Sequence, residues 1–89
     1  MFKVGELYMW APPANECSYF SAYEGGQKDI WAIDKRFVFR NTDVVCILDV
    51  YDRYGNGEDI DCKILIMDGR VGWMRVGKSY QNHWTQITL

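Results

Sequence analysis

The stretch from residue 44 to residue 76 limits this chain more than any other. Residues 44–52 (VVCILDVYD) and 60–67 (IDCKILIM) are apolar and rich in β-branched side chains, and both are too short for convincing helices. Between them, residues 53–59 (RYGNGED) gather glycines and polar groups, which marks a loop. Asp68-Gly69 follows the second run with apolar residues on either side. That pair predicts a two-residue type I′ hairpin, because both central positions need positive φ. Residues 70–76 (RVGWMRV) then return, completing a three-strand antiparallel meander.

Alternation along strands assigns faces. Val44, Cys46, Leu48 and Val50 share one face, and Val45, Ile47, Asp49 and Tyr51 share the other. The first set is wholly apolar and is expected to face the core. Cys62, Ile64 and Ile66 are expected to join it; on the returning strand the pattern allows either Gly72, Met74 and Val76 or Val71 and Trp73 to face inward, and the first set is favoured.

The flanks are less regular. Residues 6–10 (ELYMW) read as a first strand, stopped by Pro12-Pro13, which cannot donate to a ladder. Residues 13–36 form a long loop with its own irregular hairpin and a turn at Gly25-Gly26. Residues 37–39 (FVF) read as extended, and Asn41-Thr42-Asp43 as a turn. After the break at Gly77-Lys78-Ser79, residues 80–84 (YQNHW) fit one turn of 3₁₀ helix, and 85–89 (TQITL) a short closing strand.

The 89 residues suit a single domain, 1–89, and 48% hydrophobic types with a net charge of −2 argue against disorder. Ten basic against twelve acidic residues argue against a sequence-independent nucleic-acid binder, which needs a net basic surface. Three cysteines, with no C-x-x-C pair, suit a reducing setting better than a disulfide framework. No leader-like or membrane-spanning apolar stretch stands out. A cytoplasmic protein is expected, in a cell or an infected host, or as part of a virion, with no membrane partner.

The order strand, long loop, meander with a tight turn, 3₁₀ segment, final strand resembles an SH3 domain. The long segment after Trp10 would be the RT loop, 53–59 the n-Src loop, Asp68-Gly69 the distal hairpin and 79–84 the 3₁₀ turn. Asp68-Gly69-Arg70-Val71-Gly72-Trp73-Met74 is similar to the G-x-x-G-[YW]-[IV] pattern of SH3 and bacterial SH3-type domains. The likeness covers residues 44–89 by sequence and 1–43 by topology. It implies an all-β, five-stranded SH3-like barrel with a long RT-like first loop and a short 3₁₀ turn before the last strand. The chain is also similar to small SH3-like proteins of marine phages and their hosts. It departs from the family at the ligand groove. Leu7-Tyr8-Met9-Trp10 stands nearest to the A-L-Y-D-Y motif, Ile60-Asp61-Cys62 replaces the Trp-Trp pair, and the 3₁₀ turn lacks its proline. Those missing residues grip polyproline helices, so the likeness does not extend to a PxxP ligand.

Tyr19, Tyr23, Trp31, Trp73, Tyr80 and Trp84 are the candidate ligand-binding residues, on a groove between the long loop and the 3₁₀ turn. Trp73 and Trp84 are expected to be the exposed ones. The competing use of such rings is to close the ends of a small core. Lys63, Arg70, Arg75 and Lys78 lie on or beside two adjacent strands, a candidate basic strip for nucleic acid next to Trp73. Asp49, Asp52, Glu58, Asp59 and Asp61 read as a solvated acidic cluster. Asp52-x-Tyr54-x-Asn56-Gly57 mimics the opening of a calcium loop, but Tyr54 and Lys63 occupy positions that need ligands. His83 is the single histidine, and Cys17 is the one thiol not expected to face the core. No catalytic group, metal or cofactor is assigned. The expectation is a non-enzymatic protein-binding or assembly module. The alternatives are a nucleic-acid-associated barrel and a self-associating subunit of a larger, phage-like particle.

Overall fold

In the computed structural model, which describes residues 2–88, the meander forms where the apolar runs lie. The strands are β1 Leu7–Trp10, β2 Tyr19–Tyr23, β3 Arg36–Arg40, β4 Val44–Asp52, β5 Asp59–Ile66, β6 Val71–Gly77 and β7 Trp84–Ile87. Three 3₁₀ turns, Gln27–Asp29, Ile33–Lys35 and Lys78–His83, complete the regular structure. Leu89, the end of the expected closing strand, lies outside the described residues. The class is all-β, but the strand count is seven rather than five. The two additional strands, β2 and β3, form an antiparallel hairpin from Tyr19↔Arg40 to Tyr23↔Arg36; β2 lies inside the segment expected to be mostly loop, and β3 covers residues 37–39, which were expected to be extended. No helix among the described residues is long and apolar enough to cross a membrane.

All pairings are antiparallel, in the order β3-β2-β6-β5-β4-β1-β7. The sheet curls until aromatic side chains from its two edges meet. Phe39 of β3 and Trp84 of β7 stand 6.1 Å apart between ring centroids, with Phe20 of β2 5.1 Å from Trp84. Inside the curl, Val45, Ile47, Cys62, Ile64, Met74 and Val76 are fully buried. Burying a side chain of this kind is worth about 1.5–3 kcal/mol, so this inner face dominates the stability.

Two expectations change in the meander. The inward residues at the start of β4 are Val45 and Ile47, while Cys46 is half-buried on the opposite face and Leu48 is exposed. The cause is a β-bulge between Ile47 and Asp49: pairing runs Ile47↔Ile64 and then Asp49↔Lys63. One extra residue reverses the alternation, so Val50 packs against the core as expected while the residues before the bulge take the other phase. The expected inward sets of β5 and β6 hold.

The distal turn is also of another kind. The Gly69 amide donates to the Ile66 carbonyl at 2.8 Å, and the Ile66 amide to the Arg70 carbonyl at 2.8 Å. Gly69 has φ +97°, whereas Asp68 does not have positive φ. This is a three-residue loop, Met67-Asp68-Gly69, with glycine in the left-handed position, rather than type I′. Gly72 is needed for space: a Cβ there would sit 2.7 Å from the Phe37 ring and 2.9 Å from the Tyr23 carbonyl.

Residues 24–35 fold over the outer face of the sheet and create a second, smaller cluster, in which Ile30 packs with Tyr23 and Trp73. Beside it the outward-pointing Asp61 is wholly excluded from solvent.

Candidate functional site

The ladder between β2 and β6 consists of one residue pair, Tyr23↔Trp73. Beyond it the strands part, and the gap between them is a cavity of about 400 Å³. Tyr19, Phe20, Ser21 and Tyr23 line it from β2, Arg75 and Gly77 from β6, and Ser79 and Tyr80 from the third 3₁₀ turn. This is the place expected for a groove between the long loop and that turn.

Each wall is held by a specific contact. The Trp10 indole N–H donates to the Cys17 carbonyl at 3.1 Å, which ties the loop after β1 against the floor. Phe20 and Tyr80 meet Trp10 edge-on at 5.0 and 6.1 Å between centroids. The Gln81 amide donates to the Gly57 carbonyl at 2.9 Å and the Val76 carbonyl at 3.3 Å, anchoring the turn that carries Tyr80. Glu16, Asp59 and Arg75 add charge of both signs to a mostly apolar lining.

Trp31 stands at the rim, 64% exposed, with its ring 5.7 Å from Tyr23. It is the one non-glycine with positive φ among the described residues, at +78°. That conformation costs a non-glycine residue about 1–2 kcal/mol, so the surrounding loop must impose it. Several contacts do. The preceding Ile30 is buried against Tyr23 and Trp73, the Ala32 amide donates to the Asp29 carbonyl at 2.9 Å, and the Asp29 carboxylate accepts from the Gly26 amide at 2.7 Å. That last bond, with Lys35 3.7 Å away, holds the Asp29 carboxyl below the usual carboxylate range.

Four of the six aromatic candidates, Tyr19, Tyr23, Trp31 and Tyr80, therefore line one cavity. The other two do not. Trp73 is buried under Ile30 and Trp84 fills the inner core, which corrects the expectation that these two are exposed. The rings that alternation and turn chemistry placed outside are covered, one by the 24–35 loop and one by the curl of the sheet. Trp31 is the exposed tryptophan, and its Gly25-Gly26 turn was the only local sign of a shaped loop. Trp10, Phe20 and Glu16 were missed because they come together only when β2 pairs with β6.

The basic candidates are dispersed. Arg70 and Lys78 sit at opposite ends of β6; Arg70 bonds Asp68 at 2.7 Å and Lys78 lies 3.7 Å from Glu58. Lys63 is paired across the ladder with Asp49. Arg75 is bound to Asp61 through Nε at 2.7 Å and Nη2 at 3.1 Å. Gln27 also donates to Asp61 at 2.7 Å, so a residue assigned to a solvated cluster is instead a buried, triply bonded post. Of the three thiols, Cys17 and Cys62 lie as expected, outside and inside the core, and Cys46 does not. Cys17 is exposed on the groove wall, Cys46 is half-buried outside the core, and burial pushes the Cys62 thiol up to about 12. Such a thiol stays protonated and unreactive.

Compared with protein-family models, curated proteins and solved structures, the chain matches none.

Proposed function

We propose that this protein is a non-enzymatic, SH3-like binding module that holds an extended segment of a partner protein in the aromatic groove. The observation that carries this reading is Trp31, a large exposed ring kept in a strained backbone conformation at the mouth of the groove. Strain of this kind persists where other contacts over-determine it and is concentrated at binding sites. The strand order supports the SH3-like part. Without β2 and β3, the sheet runs β6-β5-β4-β1-β7, with a 3₁₀ turn between β6 and β7. The β2–β3 hairpin then stands where an SH3 domain has its RT loop.

The test is selection from a displayed peptide library, followed by affinity measurement against Trp31→Gly and Tyr80→Ala. Glycine relieves the positive φ and removes the ring, so Trp31→Gly is expected to keep the melting temperature while losing at least tenfold in affinity. Peptides that bind both variants as tightly as the parent chain would refute the groove assignment.

A second reading, self-association, has its own support on the outer face. The register aligns Ile87, Leu7, Cys46, Leu65 and Val71 in one row across five strands. None is charged, and Val71 is 41% exposed. Strands that are apolar on both faces are usual where both faces are covered. A second copy would meet this row without burying charge. Five strands span roughly 20 Å at the usual spacing, which suits a small, weak dimer. Sedimentation at rising concentration distinguishes the two: Val71→Lys would abolish the dimer and leave peptide binding intact.

A further inference from the structure

We propose that a second pocket, on the outer face beside the groove, binds a phosphoryl group carried by a protein partner. This pocket, about 380 Å³, is lined by Gln27, Lys28, Tyr51, Arg53 and Arg75. Its cations exceed what the fold requires. Asp61, fully buried beside it, is already satisfied by two bonds from Arg75 and one from Gln27. Arg53 approaches that carboxylate only to 3.9 Å, beyond hydrogen-bonding distance, and its guanidinium lies 5.2 Å from the centre of the Tyr54 ring. Lys28 forms no ion pair among the described residues. Three cations around one buried carboxylate, with Asp29 also acting on Lys28, leave the lining of this concave site net positive.

A phosphate monoester carries about −1.5 to −2 at neutral pH and offers several acceptor oxygens, so it matches both the net charge and the donors. Arginine's fork suits such a group better than a single ammonium does, and among the described residues no hydrogen bond engages the Arg53 guanidinium. Tyr51, 51% exposed, supplies a flat wall for the group that bears the phosphate. Asp59, whose charge also acts on Arg75, lines the aromatic groove rather than this pocket. Arg75 lines both cavities. That continuity is why the phosphoryl group is assigned to a protein partner, and this part of the inference rests on the groove reading above.

The experiment is a titration of the full chain, followed by backbone amide shifts, with inorganic phosphate and phenyl phosphate, each against chloride at equal ionic strength. Saturable shifts around Gln27, Lys28, Arg53 and Arg75 are expected with both phosphates. Phenyl phosphate is expected to bind several-fold more tightly, through Tyr51. Lys28→Gln and Arg53→Gln should each weaken binding by about tenfold, and the double variant should show none, with melting temperatures unchanged. Shifts that chloride reproduces, or affinity that survives the double variant, would overturn the site. Inorganic phosphate binding as tightly as phenyl phosphate would overturn the partner-borne source. A single-stranded oligonucleotide binding more tightly than either, and lost in the same variants, would overturn the protein partner in favour of nucleic acid. Trp31→Gly leaves phosphate binding unchanged, so failure of the groove reading and failure of the pocket are told apart.

Discussion

Replacing Asp61 by Asn should be one of the most damaging conservative changes available in this chain. The carboxylate is fully excluded from solvent and accepts three hydrogen bonds shorter than 3.2 Å, two of them from the Arg75 guanidinium. Breaking a buried ion pair by removing one partner costs about 3–5 kcal/mol, because the other charge is stranded. Arg75 keeps 18% of its side-chain surface exposed and recovers some hydration, which places Asp61→Asn near the lower limit, about 3 kcal/mol. In a domain of this size each kcal/mol moves the melting temperature by roughly 4–8 °C, so a fall of about 12–24 °C is expected.

The assay is urea unfolding of Asp61→Asn, Arg75→Met and the double variant. Removing both partners eliminates the stranded charge, so the double variant should be less destabilised than the sum of the singles, by about 2 kcal/mol or more. Raising salt should alter the Asp61→Asn effect little, since a buried pair is poorly screened. A single variant within about 0.5 kcal/mol of the parent, the range of ordinary surface changes, would refute the account. So would a strictly additive cycle.

Three further outcomes follow from the turns and the core. Gly69→Val should cost more than roughly 1 kcal/mol in the same assay, through backbone alone, since a Cβ there meets nothing within 4 Å; an unchanged midpoint would refute the left-handed assignment. Gly72→Ala should cost about 1–3 kcal/mol for the opposite reason, steric overlap with Phe37 and the Tyr23 carbonyl. Phe37→Ala in that background should recover part of the loss, and no recovery would refute the contact. Cys62 makes stability fall at alkaline pH. Its thiol ionises near 9.0 when unfolded but is pushed up to about 12 by burial, so its contribution is whole below pH 9 and is lost as pH rises through about 12. Cys62→Ala should flatten the pH dependence of unfolding free energy in that window, leaving the smaller share of Tyr8, whose phenol burial also raises. An unaltered slope would refute the assignment.

The parts of the fold that were legible in the sequence are those set by local chemistry. β5 and β6 alternate with no bulge to interrupt them, so the inward residues of β5 could be read directly, while those of β6 had to be chosen between two apolar sets, of which the favoured one faces inward. β4 could be delimited but not oriented. Both of its faces are apolar from Val44 to Leu48, so period alone does not choose between them, and the bulge then reverses the phase. The β2–β3 hairpin was hidden for a different reason. Its strands are joined by a twelve-residue connection carrying two 3₁₀ turns, and β2 pairs with β6 about fifty residues later. Such long-range pairing leaves no local signature. The groove inherits this: its position between loop and turn was legible from the order of elements, while its floor depends on Trp10 and Phe20 meeting across the curl.

The misassignment of Trp73 and Asp61 has one physical cause, and it bears on function. Both point outward by strand alternation, and both are buried because residues 24–35 lie over that face. Gln27 bonds Asp61 and Ile30 packs on Trp73, so the same short segment closes a polar post four residues before the strained Trp31 backbone and an apolar cluster immediately before it. The segment is thereby clamped at two points, and the clamp is what can hold Trp31 at positive φ. A loosened clamp would let Trp31 relax to an ordinary conformation. Asp61→Asn is therefore expected to weaken groove binding without touching the groove, in proportion to the stability it removes from this segment. Hydrogen exchange at residues 24–35 separates the cases: faster exchange with weaker peptide binding supports the clamp, and weaker binding with unchanged exchange refutes it.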